Sequence, residues 1–377
     1  LAIASGGISP TPIADPLLQD LTHKPASPPI THATAAAAVR PRLHGIEAGR
    51  GLAAATVVLY HAARHLDKAY GASAAMAVFK FGHAGVDFFF VISGFIILFV
   101  HHNDIGRPER LRHYLGRRAI RLLPVYWIAL AGAVLLTTLG THHLPAPTAL
   151  INSVLLLPVT QKPLLEIGWT LQHEIVFYAI FSVMILHRTA GIALFGLWAS
   201  IIATTVWIGH PLFGLPPAIS SAFGGEFFIG MAVAGIMIHT QPRHAVALLL
   251  LGAALFAAVA AAEDAGFING YKDLARLLYG VPSALLVIGA AEWSRTTRGK
   301  VPAWLAAMGA ASYSIYLFQF MFIGLVWRVW HAAGLDRAGH LALSFAVLVA
   351  SAIAGGILVS RTLEYPLMRR LRRAQGA

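Results

Sequence analysis

Ten stretches of roughly twenty predominantly apolar residues recur along this chain, at about 46–65, 83–101, 119–139, 167–187, 190–208, 219–239, 245–262, 274–292, 304–329 and 340–360. A helix of about twenty apolar residues spans the hydrocarbon core of a bilayer. There every backbone N–H and C=O must find its partner inside the protein, and an apolar stretch of this length achieves that as a helix. The expected fold class is therefore all-α: a polytopic membrane helix bundle of about ten transmembrane helices. A shorter apolar stretch near 149–159, interrupted by Pro158, reads as re-entrant or interfacial. Composition agrees. The chain is 57% hydrophobic and only 12% charged, against roughly 25% charged in soluble domains.

The net charge of +12 does not imply a nucleic-acid partner, because the basic residues sit in short connections between apolar blocks. With the N-terminus placed inside, 20 of the 28 lysines and arginines fall on the inner side and 8 on the outer. The positive-inside rule then puts both termini in the cytoplasm. Residues 1–44, rich in Ala, Pro, Ser and Thr, read as a disordered N-terminal tail. They show no charged start followed by an apolar core, so they do not resemble a signal peptide. The transmembrane domain is expected over 45–363, with a basic cytoplasmic tail over 364–377. No cysteine is present, which excludes disulfides, a thiolate nucleophile and cysteine metal sites.

Ionisable residues inside apolar spans are costly and mark interior partners or function. Arg50 and His61 share the first span. Eleven residues of helix bring them back to within about 20° of one stripe, about 16 Å apart along the axis. An interfacial arginine with a structurally satisfied histidine fits that spacing as well as a functional pair does. Asp87, near the start of the second span, suits a helix N-terminal carboxylate. Glu174 lies about two turns into the fourth span. The preceding His173 begins a zinc-protease-like His-Glu pair, but position 177 is Phe, so no metal site is expected. Arg117, Arg118 and Arg121 precede Pro124 at the inner end of the third span. They fit a topology signal contacting anionic lipid or a clamp for phosphate. His61, Asp87 and Glu174 are expected together in the outer half of the bundle, and the arginines at the inner end.

Several motifs appear in order. They are Arg50-x10-His61, Gly85-Val86-Asp87-Phe88-Phe89-Phe90-Val91-Ile92-Ser93-Gly94-Phe95, Arg117-Arg118-x2-Arg121, Trp169-Thr170-Leu171 through Glu174 to Phe177-Tyr178, Gly309-x2-Ser312-Tyr313-x2-Tyr316-Leu317, and Glu364-Tyr365-Pro366. Together they resemble the membrane acyltransferase-3 family from about His44 to Arg373. The Trp-Thr-Leu variant and Gln172-His173-Glu174 are similar to its exopolysaccharide branch. The resemblance implies a bacterial inner-membrane enzyme that moves an acyl group, acetyl above all, from acyl-CoA to a sugar hydroxyl. The acceptor would be a polysaccharide or lipid-linked sugar, and the polysaccharide assembly machinery a partner. It implies His61, Glu174 and Asp87 as catalytic residues and Arg50, Arg117, Arg118 and Arg121 as the acyl-CoA site. Ser93, Trp169, Tyr178, Tyr313, Tyr316 and Gln319 would contact substrates. Many members carry a histidine where this chain has Gln319, so a proton-transfer role there is lost while hydrogen bonding to substrate is kept.

On this reading His61 acts as general base on the acceptor hydroxyl, or accepts the acyl group transiently. Glu174 or Asp87 orients its ring. The pantetheine arm, extended on the order of 15 Å, matches the Arg50-to-His61 separation. Two other classes suit a bundle with buried His, Asp and Glu. One is a proton-coupled transporter of a sugar or small molecule. The other is an inactive scaffold in a polysaccharide assembly complex.

Overall fold

The computed structural model describes residues 43–71, 74–296, 301–336 and 340–374. The expected tail lies, up to residue 42, outside the described residues. The described residues are helical, with no strand among them.

Twelve helices matter for the site: α1 His44–Tyr70, α2 Gly85–His101, α3 Leu111–Thr141, α4 Pro147–Val154, α5 Gly168–Leu186, α6 Arg188–Ile208, α7 Phe223–His239, α8 Ala245–Asp264, α9 Asp273–Thr296, α10 Ala303–Ala332, α11 Leu341–Val359 and α12 Tyr365–Ala374. Among the described residues, nine helical stretches are long and apolar enough to cross a membrane. The tenth expected span is α1. Its 27 residues reach about 40 Å at the ordinary helical rise, yet Glu47, Arg50, Arg64, Asp67 and Lys68 make it too polar for the nine. A polar helix of this kind is tolerated because it sits inside the bundle, packed against α10, α9, α2 and α11. Ala54, Val58 and Ala62 are fully buried.

Two close crossings fix the frame. A side chain on Gly94 of α2 would strike the Phe227 carbonyl of α7, and one on Gly309 of α10 would strike the Glu47 carbonyl of α1. Small residues at these points let backbones meet, which is how membrane helices gain packing energy without a hydrophobic driving force. The stretch near 149–159 contains only α4, eight residues long and about 12 Å by helical rise, too short to cross. Tyr126 and Trp127 hold it by donating to the Ser153 and Val154 carbonyls at 2.6 and 2.9 Å.

Glu364, the first residue of the expected basic tail, closes a π-helical turn, Ser360–Glu364, and is 4% exposed. The widened turn places its carboxylate within reach of Ser314, Ser360 and Arg121. The basic residues that follow lie on α12, which packs on α3 and buries Met368.

Candidate active site

Because α1 runs unbroken from His44 to Tyr70, Arg50 and His61 hold their places on one stripe, and each opens into a different cavity. α2 and α5 carry residues into both cavities.

The first cavity is lined by Arg50, Arg118, Arg121, Ser93, Glu174, Tyr178, Ser312, Tyr313 and Tyr316 together with apolar side chains. Its three guanidiniums come from two helices. Arg118 and Arg121 are three residues apart on α3 and therefore neighbours on one face. Arg117, one position earlier, is turned by about 100°; it is exposed and lines neither cavity. Like charges at such density repel, and carboxylates offset them. Glu364 accepts from Arg121 Nη1 at 3.0 Å and from Ser314 and Ser360 at 2.6 and 3.1 Å. Glu174 faces Arg50 across the cavity and accepts from Ser93 Oγ at 2.6 Å. Aromatic faces complete the lining: the Arg121 guanidinium lies 5.4 Å from the Tyr313 ring and that of Arg118 6.0 Å from Tyr178. Arg118 keeps a buried Nε–H without a partner, so the cavity has a donor to give to an anion.

The second cavity is lined by His61, Tyr60, Arg64, His83, Glu166, Trp169, Phe223, Tyr271, Arg276 and Phe320. The His61 ring packs 4.4 Å from the Phe320 ring, and its buried Nδ1 has no hydrogen-bond partner. Val86 and Tyr316 line both cavities. The Tyr316 hydroxyl is 3.0 Å from Thr170 Oγ1.

A buried ionic network reaches the wall of the His61 cavity through Arg276 and His83. Asp87, in the first turn of α2 where the helix dipole favours a carboxylate, accepts from Arg276 Nη1 at 2.6 Å. Arg276 Nη2 lies 3.3 Å from His83 Nδ1. Arginine has no acceptor, so this contact requires His83 Nδ1 to accept and places the ring proton on Nε2. That nitrogen donates to Glu263 at 3.0 Å, and Tyr279 donates to the same carboxylate at 2.8 Å. Glu226 of α7 faces Asp87 and, like it, is fully buried.

The sequence grouping of His61, Asp87 and Glu174 in one pocket therefore separates. Glu174 stands among the arginines, because from Trp169 at the second cavity the five residues of α5 to Glu174 descend about 7–8 Å. Asp87 lies near the His61 cavity but spends one oxygen on Arg276. Neither carboxylate is bonded to His61. Trp169 lines the histidine cavity, Ser93, Tyr178 and Tyr313 the arginine cavity, and Tyr316 both. Gln319 lines neither: it is fully buried and donates to the Tyr316 carbonyl of its own helix at 3.0 Å. Three residues past Tyr316 it has turned about 60° aside, whereas Phe320, a full turn on, faces the cavity. His173 packs structurally, its ring nitrogens 2.9 Å from the Trp169 carbonyl and the Ser221 hydroxyl.

Arg276, His83, Glu226, Glu263 and Glu364 were not among the expected site residues. Glu226 and Arg276 carried a signal, since each is an ionisable residue within an apolar span. Arg276 had been counted only as a loop charge.

A helical membrane protein with a guanidinium-lined cavity beside a histidine cavity, the two sharing Val86 and Tyr316 in their walls, is a fit container for moving a group from an anionic carrier to a second substrate. Comparison with known proteins gives that class its chemistry: residues 43–361 match the family model Acyl_transf_3, an acyltransferase domain, and the chain belongs to this family of membrane acyltransferases. It is 30% identical over 314 residues to the exopolysaccharide production protein ExoZ of Rhizobium meliloti (strain 1021), an alignment covering 78% of this chain and 91% of that protein. No solved structure matches the chain.

Proposed function

We propose that this enzyme transfers an acetyl group from acetyl-CoA to a hydroxyl of an exopolysaccharide sugar or its lipid-linked precursor in the bacterial inner membrane. The observation that carries this reading is a cavity with three guanidiniums beside one with His61, with Val86 and Tyr316 in the walls of both and Arg50 and His61 on one stripe of α1. Arg50, Arg118 and Arg121 bind the phosphates of the donor, since charge-assisted and bidentate bonds to phosphate suit guanidinium. Glu174 and Glu364 keep those arginines in place against their mutual repulsion. With both termini in the cytoplasm the arginine end faces the cytoplasmic donor pool and His61 the outer side.

The acceptor sugar stacks among Tyr60, Trp169 and Tyr271. His61 removes the hydroxyl proton as the oxygen attacks the thioester carbonyl. The C–O bond forms and the carbonyl π pair moves to oxygen. Collapse of that oxyanion breaks the C–S bond, and the leaving thiolate takes the proton from His61, returning the ring to neutral. ExoZ, by its name, serves exopolysaccharide production, which supports a polysaccharide acceptor here. The test is purified protein in liposomes, given radiolabelled acetyl-CoA and the host's exopolysaccharide. Label on the polysaccharide is expected; its absence, with intact protein, overturns the reading.

A further inference from the structure

We infer that Arg276 is a catalytic residue, binding the acyl carbonyl oxygen and the oxyanion formed from it, and that Asp87 is the positioning residue that aims it. This rests on the acyl-transfer reading above.

Arg276 is 4% exposed and nevertheless lines the His61 cavity. A buried guanidinium is expensive, and the chain stabilises it with fully buried Asp87 at 2.6 Å, His83 at 3.3 Å and the Phe223 ring at 5.1 Å. These contacts use two of the five guanidinium donors, so donors remain. They also lock the group, because Asp87 and His83 grip different terminal nitrogens. A donor already fixed in place is the arrangement that stabilises a developing oxyanion most, since it needs no reorganisation during the reaction. The cavity then holds the two functions that the transfer requires: His61 for the hydroxyl proton, and Arg276 for the electron pair displaced from C=O onto oxygen. When the C–S bond breaks the pair returns to carbonyl and Arg276 is unchanged. Asp87 cannot supply either function itself. Its Oδ2 is committed to Arg276, and its Oδ1 is buried against Glu226.

The experiment measures acetyl transfer by purified full-length variants in liposomes, with donor and acceptor varied separately. Arg276→Ala should lower kcat about 10²- to 10³-fold, the range seen when one oxyanion donor is removed, with the KM for acetyl-CoA nearly unchanged. Arg276→Lys, which keeps the charge, should retain more activity than Arg276→Ala. Asp87→Asn should lower kcat by mispositioning, and the double variant Asp87→Asn/Arg276→Ala should be no slower than Arg276→Ala. Guanidinium ion added to Arg276→Ala should restore part of kcat, a response that a damaged fold does not give. Full kcat in Arg276→Ala overturns the proposal, as does additivity of the two losses without guanidinium rescue. His61→Ala run alongside separates the two claims. Wild-type transfer by that variant contradicts the reading of the site, whereas its loss beside a fully active Arg276→Ala contradicts this proposal alone.

Discussion

Arg276 of α9 donates to Asp87 of α2 over 2.6 Å, with both side chains inside the protein and out of water. The pair ties the ninth helix to the motif-bearing second helix at the back of the histidine cavity. It explains why the chain keeps an aspartate in an otherwise aromatic and aliphatic stretch, Val86 to Val91.

The pair sets a stability prediction. Removing one partner of a buried ion pair leaves an uncompensated charge and costs about 3–5 kcal/mol. Asp87→Ala should therefore lower the unfolding temperature of the detergent-solubilised protein far more than Glu109→Ala, at an exposed position just before α3. Equal shifts would contradict the assignment.

Glu226 gives a finer test of the same network. Asp87 Oδ1 and both Glu226 oxygens are buried without a hydrogen-bond partner, and two carboxylates cannot donate to one another. A donor on residue 226 would satisfy Asp87 Oδ1. Glutamine at 226 brings an N–H donor of similar shape, so Glu226→Gln should unfold at a temperature close to wild type. Glu226→Leu, which leaves Asp87 Oδ1 orphaned, should lose about 1–3 kcal/mol. Thermal unfolding of the two variants side by side reads this out.

The arginine cavity predicts a split between adjacent residues. Arg118→Ala should raise the KM for acyl-CoA about 10- to 100-fold, since a hydrogen bond to a charged group contributes about 1.5–3 kcal/mol. Its KM for acceptor should barely move. Arg117→Ala should change neither by more than about twofold, because Arg117 faces away from the cavity. A larger effect from Arg117 than from Arg118 would overturn the cavity assignment.

Gly309 tests the crossing that sets the depth of Arg50. A side chain there meets the Glu47 carbonyl, so Gly309→Leu must push α1 from α10, at about 1–3 kcal/mol for overpacking. Gly196→Ala in α6, where an added methyl meets nothing within 4 Å, should be neutral or slightly stabilising. Unfolding temperatures compare the two.

Much of this fold was legible before any coordinates. Apolar blocks of bilayer length specify helices, and Arg50 and His61 needed only helical spacing to be placed on one stripe. α1 reads as a span although its polar residues lower its hydropathy, because 46–65 is still a predominantly apolar stretch of about bilayer length. What the sequence does not carry has a common cause. Which helices touch, and at what depth, is decided by crossings such as Gly94 on Phe227, and no single-helix periodicity reports them. The structure sets Glu174 in the cavity of Arg50, and Arg276, from a helix nearly two hundred residues on, holds Asp87. Gln319 turns about 60° from Tyr316, out of both cavities, and Glu364 sits in a π-helical turn that charge pattern does not report.

The central claim is that His61 performs the proton transfer at the meeting point of donor and acceptor. The most direct measurement is the acetyl-transfer rate of His61→Ala, confirmed as inserted and folded, with acetyl-CoA binding measured on the same sample. Transfer should fall about 10²- to 10⁴-fold, the usual contribution of a general base, while acetyl-CoA binding at the arginine cavity stays within about twofold of wild type. Wild-type transfer by His61→Ala would contradict the account.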